Sequence, residues 1–130
     1  MTKGKNMSLL KGINVVSISV TDLDKGRDFY RNVLELGDPV IDLPEVGWIE
    51  FKFGNNSGHI SLTTAEEGWK PNNGITIVMD TQDCYATAKT LRDRGVKCDE
   101  PIVIPNMVTY VNFYDPFGNR LQACTEPKAQ

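Results

Sequence analysis

The chain has 130 residues and a formal net charge of −3, a length that suits one domain with a buried core. This acidic balance argues against binding to nucleic acid or to an anionic membrane surface, and no apolar run reaches the length of a membrane span. The three cysteines are widely spaced and form no CxxC pair, so we expect reduced thiols in a cytoplasmic protein.

The first part of the chain, about residues 12–64, predicts a strand, a helix and three further strands. Apolar and polar side chains alternate from Ile13 to Val20, which is the period of a half-buried strand. Asp22 or Asp24 can cap the helix that follows, and Gly37 ends it. Three later stretches have strand patterns: Val40–Leu43, Trp48–Phe53 and His59–Thr63, the last two joined by a turn at 54–58.

A linker over about residues 65–72 separates this part from a second one of the same design, about residues 73–125. Its first strand is expected from Gly74 to Met79, and its helix from Cys84 to Arg94, ended by Gly95. The remaining strands are expected at Val96–Ile104, at Val108–Tyr114 and, after a turn, up to Thr125.

The two parts match as an internal repeat. Val16 falls on Ile75 and Asp24 falls on Asp83, a shift of 59 residues. A repeat of this size indicates a duplicated supersecondary unit. Because three strands follow each helix without another helix between them, the order predicts an α+β fold rather than a parallel α/β sheet. One helix leaves one face of its sheet uncovered, so two units must pair to close a cup.

A turn motif, Asp115-Pro116-Phe117-Gly118-Asn119, closes the second part. Asp and Asn side chains can bond their own backbone, Pro presets φ, and Gly permits positive φ, so the motif alone is typical of a surface hairpin turn. Together with Val20–Lys25 and Leu34–Gly37 in the first strand and helix, it resembles the vicinal oxygen chelate superfamily. That group includes glyoxalase I, extradiol dioxygenases, and fosfomycin-resistance and bleomycin-binding proteins. The resemblance implies one domain over 1–130, built from two βαβββ modules that form cup-shaped half-barrels.

The resemblance also implies where a divalent metal would bind, at one place on each of four strands. These places hold Val15, Ser61, Gly74 (Thr76 if the register slips) and Gln122, the last of which is usually Glu in metal-using members. Val and Gly side chains cannot ligate, and Ser and Gln are weak neutral donors for such an ion. Extradiol dioxygenases need two His and a Glu, whereas this chain has one His. We therefore expect no metal and no other cofactor.

Strand alternation assigns the polar side chains to the cup and the apolar ones, Ile75 included, to the space under the helices. The candidate ligand-binding residues are Ser17, Trp48, Lys52, Ser61, Thr76, Tyr110, Asn112 and Gln122. Glu50 and His59 are the candidate catalytic residues, because either could act as a general base. A tight turn at 54–58 would pair Lys52 with His59 and Glu50 with Ser61. The simpler alternative is a solvated strand face with a weak Glu50–Lys52 ion pair.

Two functions remain open at this point. The first is binding of a small molecule without metal, as the bleomycin-binding members imply. The second is a lyase, isomerase or dioxygenase-type enzyme that uses Glu50 or His59 for proton transfer, or an atypical metal site. Besides a small molecule we expect no nucleic acid and no membrane as partners. We also expect a homodimer with Trp48 or Trp69 at or beside its interface, since the short sheets leave edges to cover.

Overall fold

The computed structural model of the chain describes residues 9–55, 57–71 and 74–126. Within these ranges, eight strands form two four-stranded sheets. The first sheet contains β1 (Val16–Val20), β2 (Ile41–Leu43), β3 (Trp48–Lys52) and β4 (His59–Thr64), in the order β1-β4-β3-β2. The second contains β5 (Ile77–Asp80), β6 (Ile102–Ile104), β7 (Val108–Tyr114) and β8 (Arg120–Thr125), in the order β5-β8-β7-β6. In each sheet the first strand runs parallel to the last and the other pairs are antiparallel. The predicted α+β fold of two βαβββ modules is confirmed.

One helix follows the first strand of each module. Helix α1 spans Leu23–Asp28 and continues as a π-helical turn over Phe29–Val33, and helix α2 spans Cys84–Asp93. The Asp22 carboxylate accepts a hydrogen bond from Lys25 N at 3.0 Å, and the Asp83 carboxylate caps α2 in the same way. A short 3₁₀ turn, Pro44–Val46, lies between β2 and β3.

The two N-caps correct the repeat. Asp22 and Asp83 occupy the same position, so the modules are related by a shift of 61 residues rather than 59. The strand register agrees, because Val16 pairs with Ile60 and Ile77 pairs with Leu121. The predicted shift was wrong because strand patterns have a period of two, so apolar residues coincide at either value. In the sequence, the helix cap distinguishes the two values.

Three predicted elements are shorter than expected. Strand β1 begins at Val16 because its partner β4 begins at His59, and β5 begins at Ile77. Ile75 therefore lies ahead of β5 with 72% of its surface exposed, so its predicted place under the helices is wrong. The stretch predicted as a strand from Val96 keeps only an isolated bridge at Cys98 before β6, and Pro101 has no N–H to continue a ladder.

The core lies between the helices and one face of each sheet. Its buried residues form one cluster that includes Ile18, Val20, Phe29, Tyr30, Ile49, Phe51, Ile60, Leu62, Ala88, Leu91, Val111, Phe113, Leu121 and Ala123. Full burial of one large aliphatic or aromatic side chain stabilises a fold by about 1.5–3 kcal/mol. Because the cluster contains residues of both sheets and both helices, the modules share one core. We call the opposite faces of the two sheets the cup face.

The Asp115 turn connects the modules. Its carboxylate is buried and accepts hydrogen bonds from the N–H groups of Phe117 and Asn119, both at 2.9 Å, and from the Asn119 amide at 2.8 Å. It also accepts one from the Tyr30 hydroxyl of the first module at 2.7 Å, while the Asn119 amide donates to Ser19 O in β1 at 2.9 Å. We call Asp115, Asn119 and Tyr30 the Asp115 cluster. The motif is thus a link between modules as well as a hairpin turn.

Candidate functional site

A row of polar side chains crosses the cup face of the first sheet. Strand pairing places Glu50 opposite Ser61 and Lys52 opposite His59, as predicted from a tight turn after β3. Ser17 of β1 lies on the other side of Ser61. Since neighbouring strands are about 5 Å apart, Ser17, Ser61 and Glu50 form a line that spans about 10 Å.

Glu50 is the centre of this group. Its side chain is only 10% exposed, and its two oxygens have different partners. Oε1 accepts a hydrogen bond from the Trp48 indole at 3.0 Å, and Oε2 lies 2.5 Å from Nδ1 of His59. Lys52 is exposed and has no ion pair with Glu50 among the described residues, so the alternative of a solvated Glu50–Lys52 pair is wrong. The charge of Glu50 is directed to His59 and Trp48 instead.

The carboxylate orients the imidazole. The side chain of His59 is 35% exposed, and its Nδ1 is engaged by Glu50. Its other ring nitrogen, Nε2, has no hydrogen-bond partner within the described part of the chain. A His ring held by a carboxylate at one nitrogen can exchange a proton with a ligand at the other.

Two buried side-chain atoms on the cup face lack hydrogen bonds. In the described ranges, Ser61 Oγ and Arg120 Nε are the buried side-chain polar atoms without a partner. Buried polar atoms are paired in the great majority of cases, and an unpaired one costs about 1–3 kcal/mol. Sequence analysis predicted Ser61 but missed Arg120. The available signal was its position two residues before Gln122, which places both side chains on the same face of β8.

Arg120 lies at the seam between the modules. Its Nη2 donates a hydrogen bond to Oγ1 of Thr76, just ahead of β5, at 2.8 Å. Beside it, a cavity of about 220 Å³ separates β1 of the first module from β5 and β8 of the second. We call it the seam cavity. Its polar and aromatic lining consists of Ser17, Ser19, Trp69, Asn119 and Arg120, and the rest is aliphatic.

The other predicted ligand-binding residues lie on the second sheet. Asn112 pairs with Gln122, and the Gln122 amide donates a hydrogen bond to Asn112 Oδ1 at 2.9 Å. Tyr110 is half-buried opposite Cys124. The predicted residues therefore fall into two groups. The first sheet carries Ser17, Trp48, Glu50, Lys52, His59 and Ser61. The second sheet carries Tyr110, Asn112 and Gln122, and Thr76 lies just ahead of its strand β5.

The places that hold a metal in related proteins do not suit a divalent ion here. With the shift of 61 residues, the counterpart of Val15 is Thr76 rather than Gly74, and Thr76 Oγ1 already accepts a hydrogen bond from the Arg120 guanidinium. That positive charge opposes a second cation, and the Ser61 and Gln122 side chains are neutral weak donors. The described ranges also contain no group of three or more His, Cys, Asp or Glu residues that could hold a metal ion.

Paired βαβββ modules with a polar cup define a class of small α+β proteins. The sequence matches the model of the Glyoxalase/Bleomycin resistance protein/Dioxygenase superfamily over residues 12–123, and the chain belongs to that superfamily. The resemblance to the vicinal oxygen chelate group is thereby confirmed. No helix among the described residues is long and apolar enough to cross a membrane.

Several solved structures are similar to this chain. A superfamily member from Sphaerobacter thermophilus DSM 20745 is 28% identical, with a TM-score of 0.76 over 92% of this chain and 100% of that one. TnmS3, an antibiotic binding protein from Streptomyces sp. CB03234, is 25% identical, with a TM-score of 0.75 over 93% and 99%. Lactoylglutathione lyase from Agrobacterium tumefaciens is 21% identical, with a TM-score of 0.70 over 90% and 95%, and shares the fold. No curated protein matches the chain.

Proposed function

We propose that this protein binds a small molecule in its cup, without a divalent metal at the superfamily's usual position. The observation that carries the proposal is the pair of buried, unpaired polar atoms, Ser61 Oγ and Arg120 Nε, both on the cup face. An unpaired buried polar atom lowers the stability of the free fold. A ligand that brings a hydrogen-bond partner to it, once the side chain rotates toward the cup, recovers that free energy. The seam cavity beside Arg120 and Ser17 gives that ligand a place to bind.

One relative supports this class of function. TnmS3 is described as an antibiotic binding protein and shares the fold over 93% of this chain. The donor set supports the metal-free part of the proposal, because Val15, Ser61, Thr76 and Gln122 provide neither imidazole nor carboxylate.

Native mass spectrometry of the purified protein tests the proposal. We expect a co-purified or added small molecule at a ratio of one per cup, and zinc, nickel and manganese contents far below one per chain. The same ligand should bind after treatment with a chelator. A stoichiometric metal whose removal abolishes ligand binding would contradict the metal-free proposal.

The contact between His59 and Glu50 favours a second candidate function. A carboxylate-held imidazole is a common arrangement for general acid–base chemistry. In this alternative the protein is a lyase, isomerase or dioxygenase-type enzyme in which His59, oriented by Glu50, transfers a proton. One assay distinguishes the two functions. If Glu50 only supports catalysis, Glu50→Gln should lower turnover and leave substrate affinity nearly unchanged.

We also propose a homodimer in the cytoplasm. The free thiols of Cys84, Cys98 and Cys124 suit a reducing compartment. Strands β2 and β6 are edge strands with exposed apolar side chains: Ile41 and Leu43 in β2, and Ile102, Val103 and Ile104 in β6. Such edges favour pairing with another chain. Trp48 and Trp69 remain predicted interface neighbours. Analytical ultracentrifugation at micromolar concentration should show a species of twice 14.5 kDa, and a persistent monomer would refute the dimer.

A further inference from the structure

We propose that Arg120 binds an anionic group, a carboxylate or a phosphate, on the small molecule that the cup takes. The inference rests on the proposed function, because it names the chemical class of that ligand. It depends on three observations: the missing counter-charge of Arg120, the way its side chain is held, and the lining of the seam cavity.

Arg120 differs from the other arginines of the chain. Four of the five arginines form ion pairs with carboxylates: Arg27 with Asp24 and Asp42, Arg31 with Asp38, Arg92 with Glu100, and Arg94 with Glu35. Arg120 has no carboxylate within 4.0 Å among the described residues, although it is more buried than Arg31, Arg92 or Arg94. Arg120 is also the arginine that lines the seam cavity, and none of the four paired arginines borders it.

A partly buried guanidinium without a counter-ion is unfavourable in the free protein. Burial removes water from the charge, and the neutral Thr76 hydroxyl replaces only one of the lost hydrogen bonds. Nε is buried and unpaired, so the side chain has donor capacity that the folded chain leaves unused. An anion supplies both the missing charge and the missing acceptors.

Thr76 also orients the Arg120 guanidinium, whose N–H groups form a planar fork. Because its Oγ1 accepts from Nη2 at 2.8 Å, the guanidinium is held at one end, and this reduces the entropy lost when a ligand binds. Carboxylate and phosphate oxygens match two parallel N–H groups of a guanidinium, which makes such pairs stronger than hydrogen bonds between neutral groups. A lysine would provide the charge without the fork.

The rest of the seam cavity restricts the ligand further. The Trp69 indole can stack on a planar ring, and the Ser17 and Ser19 hydroxyls can bond polar substituents. Glu50 lies at the far end of the row that starts at Ser17, so a second negative charge there would be repelled. These features favour a small ligand that carries one anionic group, a carboxylate or a phosphate, on a planar apolar body.

The test uses the arginine Nε–Hε signals in ¹⁵N NMR spectra of the full chain. The signal of Arg120 is assigned by its loss in Arg120→Lys, and that of Arg31 gives a matched internal control on an exposed, ion-paired side chain. Sodium benzoate, inorganic phosphate and the neutral amide benzamide are titrated separately. We expect benzoate, phosphate or both to move the Arg120 signal with saturation, while the Arg31 signal changes only slightly and without saturation.

The variants separate a binding role from a structural one. We expect Arg120→Gln to lower the affinity for the bound anion by about tenfold or more, as for loss of a charge-assisted pair. Its Tm should equal or exceed that of the unmodified protein, because an unpaired buried charge has been removed. The control Arg31→Gln should bind the anion like the unmodified protein.

Two results would overturn the inference. One is an Arg120 signal that follows Arg31 in both anion titrations; the other is unchanged anion affinity in Arg120→Gln, with or without a fall in Tm. If native mass spectrometry then identifies a neutral ligand whose affinity Arg120→Gln leaves unchanged, the proposed function stands and only the anion inference fails. A metal-dependent ligand would instead contradict the proposed function, whatever Arg120 does.

Discussion

The two modules present different chemistry at equivalent positions of their cup faces. The shift of 61 residues makes His59 the counterpart of Arg120 and Ser61 the counterpart of Gln122. Cross-strand pairing makes Asn112 the counterpart of Glu50. In the first module the acid is satisfied internally, since Glu50 bonds His59 and Trp48. In the second, two neutral amides bond each other, and the cation has no counter-ion among the described residues.

The comparison shows that the two modules share their backbone register but differ in the side chains of the cup face. The backbone register is the same in both modules, because it is set by the core face, where a slip of one residue would turn every apolar side chain outward. The cup face has no such constraint. We therefore propose proton transfer for the first module and anion binding for the second.

The largest effect on stability is expected from removing the Asp115 carboxylate, which links the two modules. Asp115→Ala removes four hydrogen bonds to a buried carboxylate and leaves the Tyr30 hydroxyl unpaired. We expect a loss of about 3 kcal/mol or more in the free energy of unfolding, measured with urea. Asp38→Ala, which removes an exposed ion pair with Arg31, should cost less than about 1 kcal/mol. Equal losses in the two variants would show that the Asp115 cluster is not what joins the modules.

The same link should make stability fall at alkaline pH. Burial raises the pKa of Tyr30 well above its usual range, and the Asp115 carboxylate raises it further. Above pH ~10 the unfolded chain releases this proton while the folded chain keeps it, so the unfolded state binds fewer protons and stability decreases as pH rises. The slope from one such group approaches about 1.4 kcal/mol per pH unit.

Tyr30→Phe should reduce that slope, although it costs about 1–3 kcal/mol at neutral pH by leaving Asp115 with one hydrogen bond fewer. Urea unfolding between pH 9 and 11 measures it. Tyr85→Phe is the control, because the Tyr85 side chain is exposed. An unchanged slope in Tyr30→Phe would mean that another tyrosine carries the effect. Tyr114 is the candidate, because its hydrogen bond to Asp99, together with burial, raises its pKa.

A smaller effect on stability is expected in the first module, where Glu50 and His59 contact each other. In a double-mutant cycle, Glu50→Gln and His59→Gln should show a coupling of about 0.5–3 kcal/mol, because the two side chains are in direct contact. The cycle of Lys52→Gln with Glu50→Gln should be additive within about 0.5 kcal/mol. Ligand affinity should respond to Glu50→Gln if the carboxylate borders the ligand, and identical affinities would remove Glu50 from the site.

No measurable effect is expected from an attempt to restore metal binding in the second module. Gln122→Glu supplies the acid that metal-using relatives have, but Val15 still offers no donor and Thr76 remains bonded to Arg120. Calorimetry with zinc and nickel should therefore show no micromolar binding in this variant. Tight binding would mean that other side chains complete the coordination and that the assigned ligand positions are wrong.

Local patterns in the sequence were sufficient to locate most of the elements and to predict the β3–β4 and β7–β8 hairpins. Alternation located the strands, and aspartates at the N-caps and Gly95 after α2 marked the helix ends, because these signals come from neighbouring residues alone. The tight turn after β3 was enough to place Glu50 opposite Ser61. The repeat shift was wrong by two residues, since alternation cannot distinguish shifts that differ by its own period.

By itself, the sequence determined the α+β class, the duplicated module and the absence of imidazole and carboxylate at the expected ligand positions. Only the tertiary structure decided which charges are paired. Tyr30 and Asp115 are separated by 85 positions, and nothing near either residue in the chain predicts their contact. In the sequence, Arg120 similarly resembles any arginine of a strand. The folded chain brings Thr76 within hydrogen-bond distance of it, and no carboxylate of the described ranges lies within 4.0 Å. Pairing depends on which distant groups meet, and that depends on how the two modules pack.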